Sequence, residues 1–332
     1  MVKERIYCDL NVTESSSYQD NLDNVKQLVS LGYTMVALNR HYGLPKKESG
    51  TGTNNNKNNK KNNSNPSNAI GKSAMDEAKK FVDEAQTLHK RLNSDIEKLR
   101  GSTIILADEQ DTAANQSNVK EAELVVPEKF RLLSRVTLDL DNVEQLNYLR
   151  SRSNKLIASS FDLVAVNPRC EKCFRSLMEL KFDALDIVAF DLSDRLPFKF
   201  DRHQVGLGTS NGLFFEVQYG TAIRSQTLRK YVFSNSQQLT SRTKRGAGVI
   251  VTSGGESKMD FRAPPDVANL TSLFGLKGMD SGLDTVSTTA RKCVRRALLR
   301  RETFKGAVRV EKMEEEADRA GAEPASKKLR VE

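Results

Sequence analysis

The polar and apolar positions of this chain alternate between short β-branched runs and longer stretches of helical spacing. Ile6-Tyr7-Cys8-Asp9-Leu10 reads as a first strand. Leu22, Val25, Leu28, Val29 and Leu31 then recur every three or four residues, the period of one helix face, and Gly32 supplies a stop. Met35-Val36-Ala37-Leu38 is a second strand. A strand, a helix and a strand in such close succession need a crossover connection, which favours parallel pairing. The same alternation returns with strands at 132–140, 162–166, 185–190 and 213–217 and helices at 143–149, 173–180 and 222–239. A loop carrying Pro197 and Gly206-Leu207-Gly208 separates the third and fourth of these strands. Val249-Ile250-Val251 is too brief and too apolar to be anything but a buried strand, and Thr252-Ser253-Gly254-Gly255 turns the chain after it. Asp266 follows two prolines and precedes a helical run, so it is predicted as an N-cap, with Gly275 as the stop. A last helix covers 283–301 and a weak strand 307–310.

Three segments break the pattern. From Pro45 to about residue 74 the composition collapses into Asn, Lys, Ser and Gly, which cannot bury enough apolar surface to offset ordering entropy. This tract is expected to be a disordered insertion, followed by a helix over 75–99. A polar loop at about 108–120 and a charged, mostly disordered tail at 303–332 are expected on the same grounds. Residues 1–302 then form one domain. Seven strands, each followed by a helix, with a doubtful eighth, predict an irregular (β/α) TIM-like barrel of seven or eight parallel strands. A doubly wound open sheet is the competing architecture, but no dinucleotide fingerprint follows the first strand.

Composition narrows the chemistry. The 332 residues carry a net charge of +9, which points to an anionic partner, nucleic acid before membrane. No apolar run approaches a membrane span and no signal-peptide core opens the chain, so a soluble intracellular protein is expected. Four scattered cysteines do not make a disulfide framework, and the lone pair Cys170-Glu171-Lys172-Cys173 reads as two ordinary thiols at a helix start. The strand ends carry Asp9, Asn11, Asn39, His41, Asp139, Asp141, Asn167, Asp191, Asp194, Gln218 and Ser253, a polar rim poor in metal ligands. His89 is read as lying on a solvated helix face and His203 in an exposed basic loop, so no metal site and no catalytic residue is assigned.

The basic runs carry more information. Between Glu216 and Glu256 no acidic residue interrupts Arg224, Arg229, Lys230, Arg242, Lys244 and Arg245. A second acid-free run after Asp284 holds Arg291, Lys292, Arg295, Arg296, Arg300 and Arg301. Like charges at helical spacing repel, so one-signed runs imply an external counter-charge such as a phosphate backbone. All of these except Arg301 are candidate RNA-binding residues. Aromatic residues do not interleave them, which argues against stacking on single strands.

The order and spacing of several segments resemble the thirty-kilodalton-class protein subunit of ribonuclease P and ribonuclease MRP. The resemblance rests on Arg262, Pro264, Asp266 and Asn269 within the 249–276 unit and on Leu31-Gly32-Tyr33 with 36–39. Further matches are 161–168, Leu196-Pro197-Phe198, 212–216 with Tyr219, and Arg229-Lys230-Tyr231. It covers residues 6–40 and 130–302. It implies a barrel related to the polymerase-and-histidinol-phosphatase phosphoesterases. Those enzymes carry H-x-H at the first strand, where this chain reads Asp9-Leu10-Asn11. The resemblance therefore implies a non-catalytic scaffold with no cofactor of its own, the Mg²⁺ belonging to the RNA of the complex. Its implied partners are ribonuclease P/MRP RNA, precursor tRNA through the complex and a protein subunit of the Pop5 type. Its implied location is the nucleus and nucleolus, and its implied processes are tRNA 5′ maturation and rRNA processing. A divergent metal-dependent phosphoesterase would draw its ligands from Asp9, Asn39, His41, Asp191 and Ser253, and a metabolite-binding barrel would need an apolar pocket.

Overall fold

The computed structural model describes residues 5–44, 66–99, 127, 129–150, 157, 159–179, 184–244, 246–304 and 307–308. In chain order the elements are β1 (Cys8–Thr13), α1 (Tyr18–Ser30), β2 (Met35–Gly43), α2 (Pro66–Leu99), β3 (Arg131–Leu140) and α3 (Val143–Arg150). Next come β4 (Leu163–Pro168), α4 (Glu171–Glu179), β5 (Ile187–Ala189), α5 (Arg202–Ser210), β6 (Phe214–Gln218), α6 (Gly220–Arg224) and α7 (Gln226–Arg242). The chain closes with β7 (Val249–Thr252), α8 (Pro264–Leu270), α9 (Met279–Val286), α10 (Thr288–Glu302), β8 (Thr303–Phe304) and β9 (Ala307–Val308).

Strands β1 to β7 pair in sequence order, all parallel. Every crossover is helical, and the sheet curls until β7 meets β1. The seam is closed by a bridge between Val12 and Gly255, with amide bonds from Thr13 to the Gly255 carbonyl (2.9 Å) and from Gly254 to the Asn11 carbonyl (2.9 Å). The result is a nearly closed seven-stranded TIM-like barrel. Alternation along each strand sorts the apolar residues. Cys8, Leu10, Ala37, Leu133, Leu163, Ala165, Ile187, Ala189 and Ile250 form one inner layer near the strand starts. Val36, Leu38, Val164, Val166, Val188, Phe215 and Val251 face the surrounding helices.

Helix α10 does not join the outer ring. It packs Ala290, Cys293, Val294 and Ala297 against the inner layer and so plugs the barrel's N-terminal end. Two arginines fasten it. Arg300 makes three bonds of 2.9–3.2 Å to the fully buried Asp186 at the start of β5 and one to the Asp162 carbonyl, and Arg301 pairs with Asp162 at the start of β4. Arg296 donates to the carbonyls of Asn211 (2.9 Å) and Leu185 (3.3 Å). Gly212, at φ +81°, lets that guanidinium reach the backbone beside it.

The structure corrects several expectations. Helix α2 starts at Pro66, inside the tract expected to lack structure. The buried stripe of Ala78, Val82, Ala85, Leu92 and Ile96 anchors it, and Pro66 is tolerated in a first turn, where no intrahelical N–H bond is needed. Gly206 and Gly208 lie in α5 rather than in a loop, because α5 packs closely there: a side chain at Gly208 would collide with the Met178 sulfur. Ala263, not Asp266, is the N-cap of α8; Pro264 and Pro265 take the first two helical positions and Asp266 falls in the first turn. The 222–239 helix is divided at Ser225, and the last helix is divided at Ser287 into α9 and α10. The weak strand near 307 pairs antiparallel with 303–304 in a separate two-stranded ribbon, so the barrel has seven strands. The 108–120 loop and the tail from residue 309 lie outside the described residues. Among the described residues no helix is long and apolar enough to cross a membrane.

Candidate nucleic-acid interface

In a (β/α) barrel the reaction space lies at the C-terminal ends of the strands. Here that interior is filled by the protein's own polar groups. Arg135 of β3 and Glu216 of β6, both with fully buried side chains, form a two-pronged ion pair at 2.6 and 2.7 Å across the barrel. Arg135 also donates to the Leu10 carbonyl (2.8 Å) and to Thr137 (3.3 Å), while Thr252 (2.8 Å) and Gln218 (3.3 Å) donate to Glu216. Thr137 bonds Asn39, and Asn39 bonds Asn11, each at 2.8 Å. A β-bulge between Asp9 and Val12 turns Asn11 inward after Leu10, which gives the network its last member. Burial works to raise the Glu216 carboxyl, but the Arg135 guanidinium and the donated hydrogen bonds outweigh it and hold the group below the ordinary carboxylate range. Charge meets charge inside the barrel, and the guanidinium takes the place a cation would need.

The donors of a phosphoesterase-like metal site do not converge. Asp9 lies on the opposite side of β1 from Leu10 and accepts the Ser253 amide (3.2 Å) across the seam. Asn39 belongs to the interior network, His41 is exposed beside it, and Asp191 is bonded to Ser193. Asp139 at the mouth is held by Asn167 (2.9 Å) and Arg169 (3.0 Å). Among the described residues no group of three or more His, Cys, Asp or Glu is placed to hold a metal ion. Arg135, Thr137, Glu216 and Thr252 were not singled out from the sequence; the available signal was a lone Arg and a lone Glu inside apolar strands.

The candidate cations divide three ways. Arg224 is a structural clamp, bonded to Asp260 (2.8 Å) and close to Glu256 (3.5 Å). Arg229 donates to the Ala222 carbonyl (2.7 Å), while Lys230 is exposed and lies over Tyr231. These three sit at the mouth end, where α6 and α7 begin. Arg242 and Lys244 are exposed at the other end of α7, and Arg245 lies outside the described residues. On α10, Arg296 and Arg300 are turned inward as fasteners of the plug, a correction to their assignment to RNA. Their physical reason is the buried carboxylate and carbonyls at the strand starts, which need donors. Arg291, Lys292 and Arg295 are exposed on the outer side of the same helix, and no ion pair among the described residues engages them. Arg291, Lys292 and Arg295 thus gather at the closed base of the barrel, at the same end as Arg242 and Lys244.

Within the 262–269 motif, Arg262 donates to the Met259 and Phe261 carbonyls, both at 2.7 Å. Its backbone is bonded by the Tyr33 and Tyr219 hydroxyls. Pro264 is buried, while Asp266 and Asn269 are exposed three positions apart on α8. Cys170 and Cys173 correct the expectation of two ordinary thiols: they are joined as a disulfide, with Cα atoms 5.3 Å apart. His89 is not on a freely solvated face; it is half-buried, with Nδ1 3.2 Å from the Asn93 amide nitrogen. His203 is exposed, as expected, but it lies in the first turn of α5 rather than in a loop.

With this geometry in view, comparison with known proteins gives a consistent result. The model of the family described as RNase P subunit p30 matches residues 6–302. A mouse protein named ribonuclease P protein subunit p30 is 38% identical over 162 residues, which is 49% of this chain and 58% of the mouse protein. A fission-yeast (Schizosaccharomyces pombe) protein, probable ribonuclease P protein subunit 3, is 29% identical over 209 residues, covering 62% of this chain and 85% of that one. A chain from a cryo-EM structure of archaeal ribonuclease P with mature tRNA shares the fold, with a TM-score of 0.54, 13% identity, and coverage of 94% of this chain and all of that one.

Proposed function

The chain belongs to the RNase P subunit p30 family, and on that premise we propose that it is a non-catalytic protein subunit of the ribonuclease P ribonucleoprotein, supporting maturation of the tRNA 5′ end. The observation that carries the reading is the division of labour in α10. Its inward arginines bind the barrel, while Arg291, Lys292 and Arg295 stand outward at its base, at the same end as Arg242 and Lys244, ready to neutralise phosphates. The filled interior supports the same reading from the other side, because Arg135 and Glu216 leave the usual barrel site to the protein's own ion pair.

In this proposal the RNA of the complex and its Mg²⁺ perform the cleavage, and precursor tRNA is met through the complex. Service in ribonuclease MRP, with a part in rRNA processing, a Pop5-type partner subunit, and residence in the nucleus and nucleolus belong to the same proposal. The test is to purify the protein from its own cells at moderate salt and to sequence the RNA that accompanies it. One dominant structured RNA with precursor-tRNA cleavage in the same fraction is expected, and a second such RNA marks service in MRP. No enriched RNA, together with Mn²⁺-dependent phosphatase activity of the purified chain, would return the barrel to the phosphoesterases.

The placement on α10 has its own test. Replacing Arg291, Lys292 and Arg295 with Ala is expected to weaken RNA association roughly tenfold or more at physiological salt and to flatten the salt dependence by about two to three units of slope. Unchanged affinity and slope would move the contact elsewhere on the protein.

A further inference from the structure

We propose that Cys170 and Cys173 form a reversible thiol–disulfide exchange site whose reaction partner is a dithiol reductant or the glutathione couple. The four cysteines divide sharply. Cys8 and Cys293 are fully buried, with thiols pushed up by that burial, Cys8 to about 12, so neither forms a thiolate in reach of a reagent. Cys170 and Cys173 are paired, and their sulfurs differ in access: Cys173 is fully buried, whereas Cys170 is only half-buried.

The local structure activates this pair. Cys170 immediately precedes α4, its carbonyl accepts the Phe174 amide (3.0 Å), and its sulfur accepts the Cys173 amide (3.1 Å). Amides at a helix start stabilise a thiolate, and the exposed Lys172 lies between the two cysteines, while the neighbouring charges are already matched, Arg169 by Asp139 and Glu171 by Arg175. A disulfide in a protein of a reducing compartment, which the proposed function implies, is more often an exchanging than a permanent bond.

Exchange balances as follows. A thiolate of the reductant attacks Cys170 Sγ, forming a mixed disulfide and releasing Cys173 Sγ, which takes a proton. The reductant's second thiol, or for glutathione the thiol of a second molecule, then attacks the reductant sulfur in that mixed bond and releases Cys170 as a thiol. Two electrons and two protons pass to the protein, and the reductant leaves as a disulfide.

The consequence is local. Cys173 and Phe174 anchor α4 in the cluster of Phe190, Phe198 and Phe200, and Arg169, next to Cys170, holds Asp139 and stands 3.8 Å from Asp141 at the barrel mouth. Reduction frees this β4–α4 turn, whereas oxidation fixes it.

The test equilibrates the purified full chain in glutathione buffers of stepped reduced-to-oxidised ratio. It then quenches with acid, labels free thiols with a mass-shifting maleimide after denaturation, and weighs the peptide carrying residues 170–173. A single two-electron transition from two labels to none is expected, with Cys8 and Cys293 labelled throughout. Full reduction is expected to lower the melting temperature by about 5 °C. In Cys173→Ser, Cys170 is expected to take up one glutathione. Two labels at every ratio, a stable glutathione adduct on wild-type Cys170, or a pair that resists reduction until the protein unfolds would each overturn the proposal. The wild-type titration decides it even if the Ser variant fails to fold.

Discussion

Single residues set the character of the barrel interior. Arg135 and Glu216 are charged, fully buried and paired with each other through both terminal guanidinium nitrogens, so removing either leaves an uncompensated charge. Arg135→Met is expected to cost about 3–5 kcal/mol by denaturant unfolding, and Arg135→Met with Glu216→Leu to recover most of that loss. A double variant no better than the single one would mean that the pair fixes the fold through its wider network. Asp9 makes the opposite case. Its Oδ1 accepts the amides of Asn11 and Ser253 (both 3.2 Å), but its fully buried Oδ2 has no hydrogen-bond partner. Burial, partly offset by those bonds, pushes the carboxyl up to about 6. The folded state then holds the proton more tightly than the unfolded one. Stability therefore falls as pH rises from about 4 to about 6 and stays lower above that range. Asp9→Asn is expected to gain on the order of 2 kcal/mol at pH 7 and nothing at pH 4. Equal effects at the two pH values would show that Asp9 does not titrate in this window.

At the scale of elements, α10 joins a plug and a charged surface in one helix. Its inner side is specified by partners far away in sequence: Arg300 meets Asp186, and Arg301 meets Asp162. Arg300→Ala strands the buried Asp186 carboxylate and is expected to destabilise the fold by about 3 kcal/mol, whereas Arg295→Ala is expected to stay within about 0.5 kcal/mol. Similar losses at both positions in thermal unfolding would contradict the inward and outward assignment. This contrast marks what was legible beforehand. The one-signed run 291–301 is visible in the sequence, because charge is local, but its division is not, because Asp162 and Asp186 are single acids at the starts of predicted strands and only the fold brings them beneath the helix. The strands were legible for a related reason: runs such as Val249-Ile250-Val251 are buried on both sides and need no partner to be recognised. The division at Ser287 was not, since nothing local marks a residue at φ −124°, ψ −85° as the point where the chain turns under the barrel. The α8 start was misplaced because a Pro-Pro pair at the first two helical positions and an Asp cap offer the same sequence cue.

For the whole molecule, the barrel is unevenly closed. Strands β2 and β3 run together over nine residue pairs, from Met35 with Arg131 to Gly43 with Asp139. The β1–β7 seam has one bridge, at Val12 and Gly255, supported by the amides of Thr13 and Gly254 and by the half-satisfied Asp9. Opening the seam breaks few hydrogen bonds, but it exposes Cys8, Leu10 and Ile250, which α10 covers from below. The cost of opening therefore depends on the plug, and the plug depends on Arg300 and Asp186. Native-state hydrogen exchange separates these contributions. The amides of Thr13 and Gly254 are expected to exchange at least tenfold faster than those paired between β2 and β3. In Arg300→Ala the gap should widen, because the seam loses its cover while the β2–β3 ladder keeps its bonds. Equal protection around the ring in both proteins would instead make the barrel a single cooperative unit, with the seam as firm as any other pair of strands.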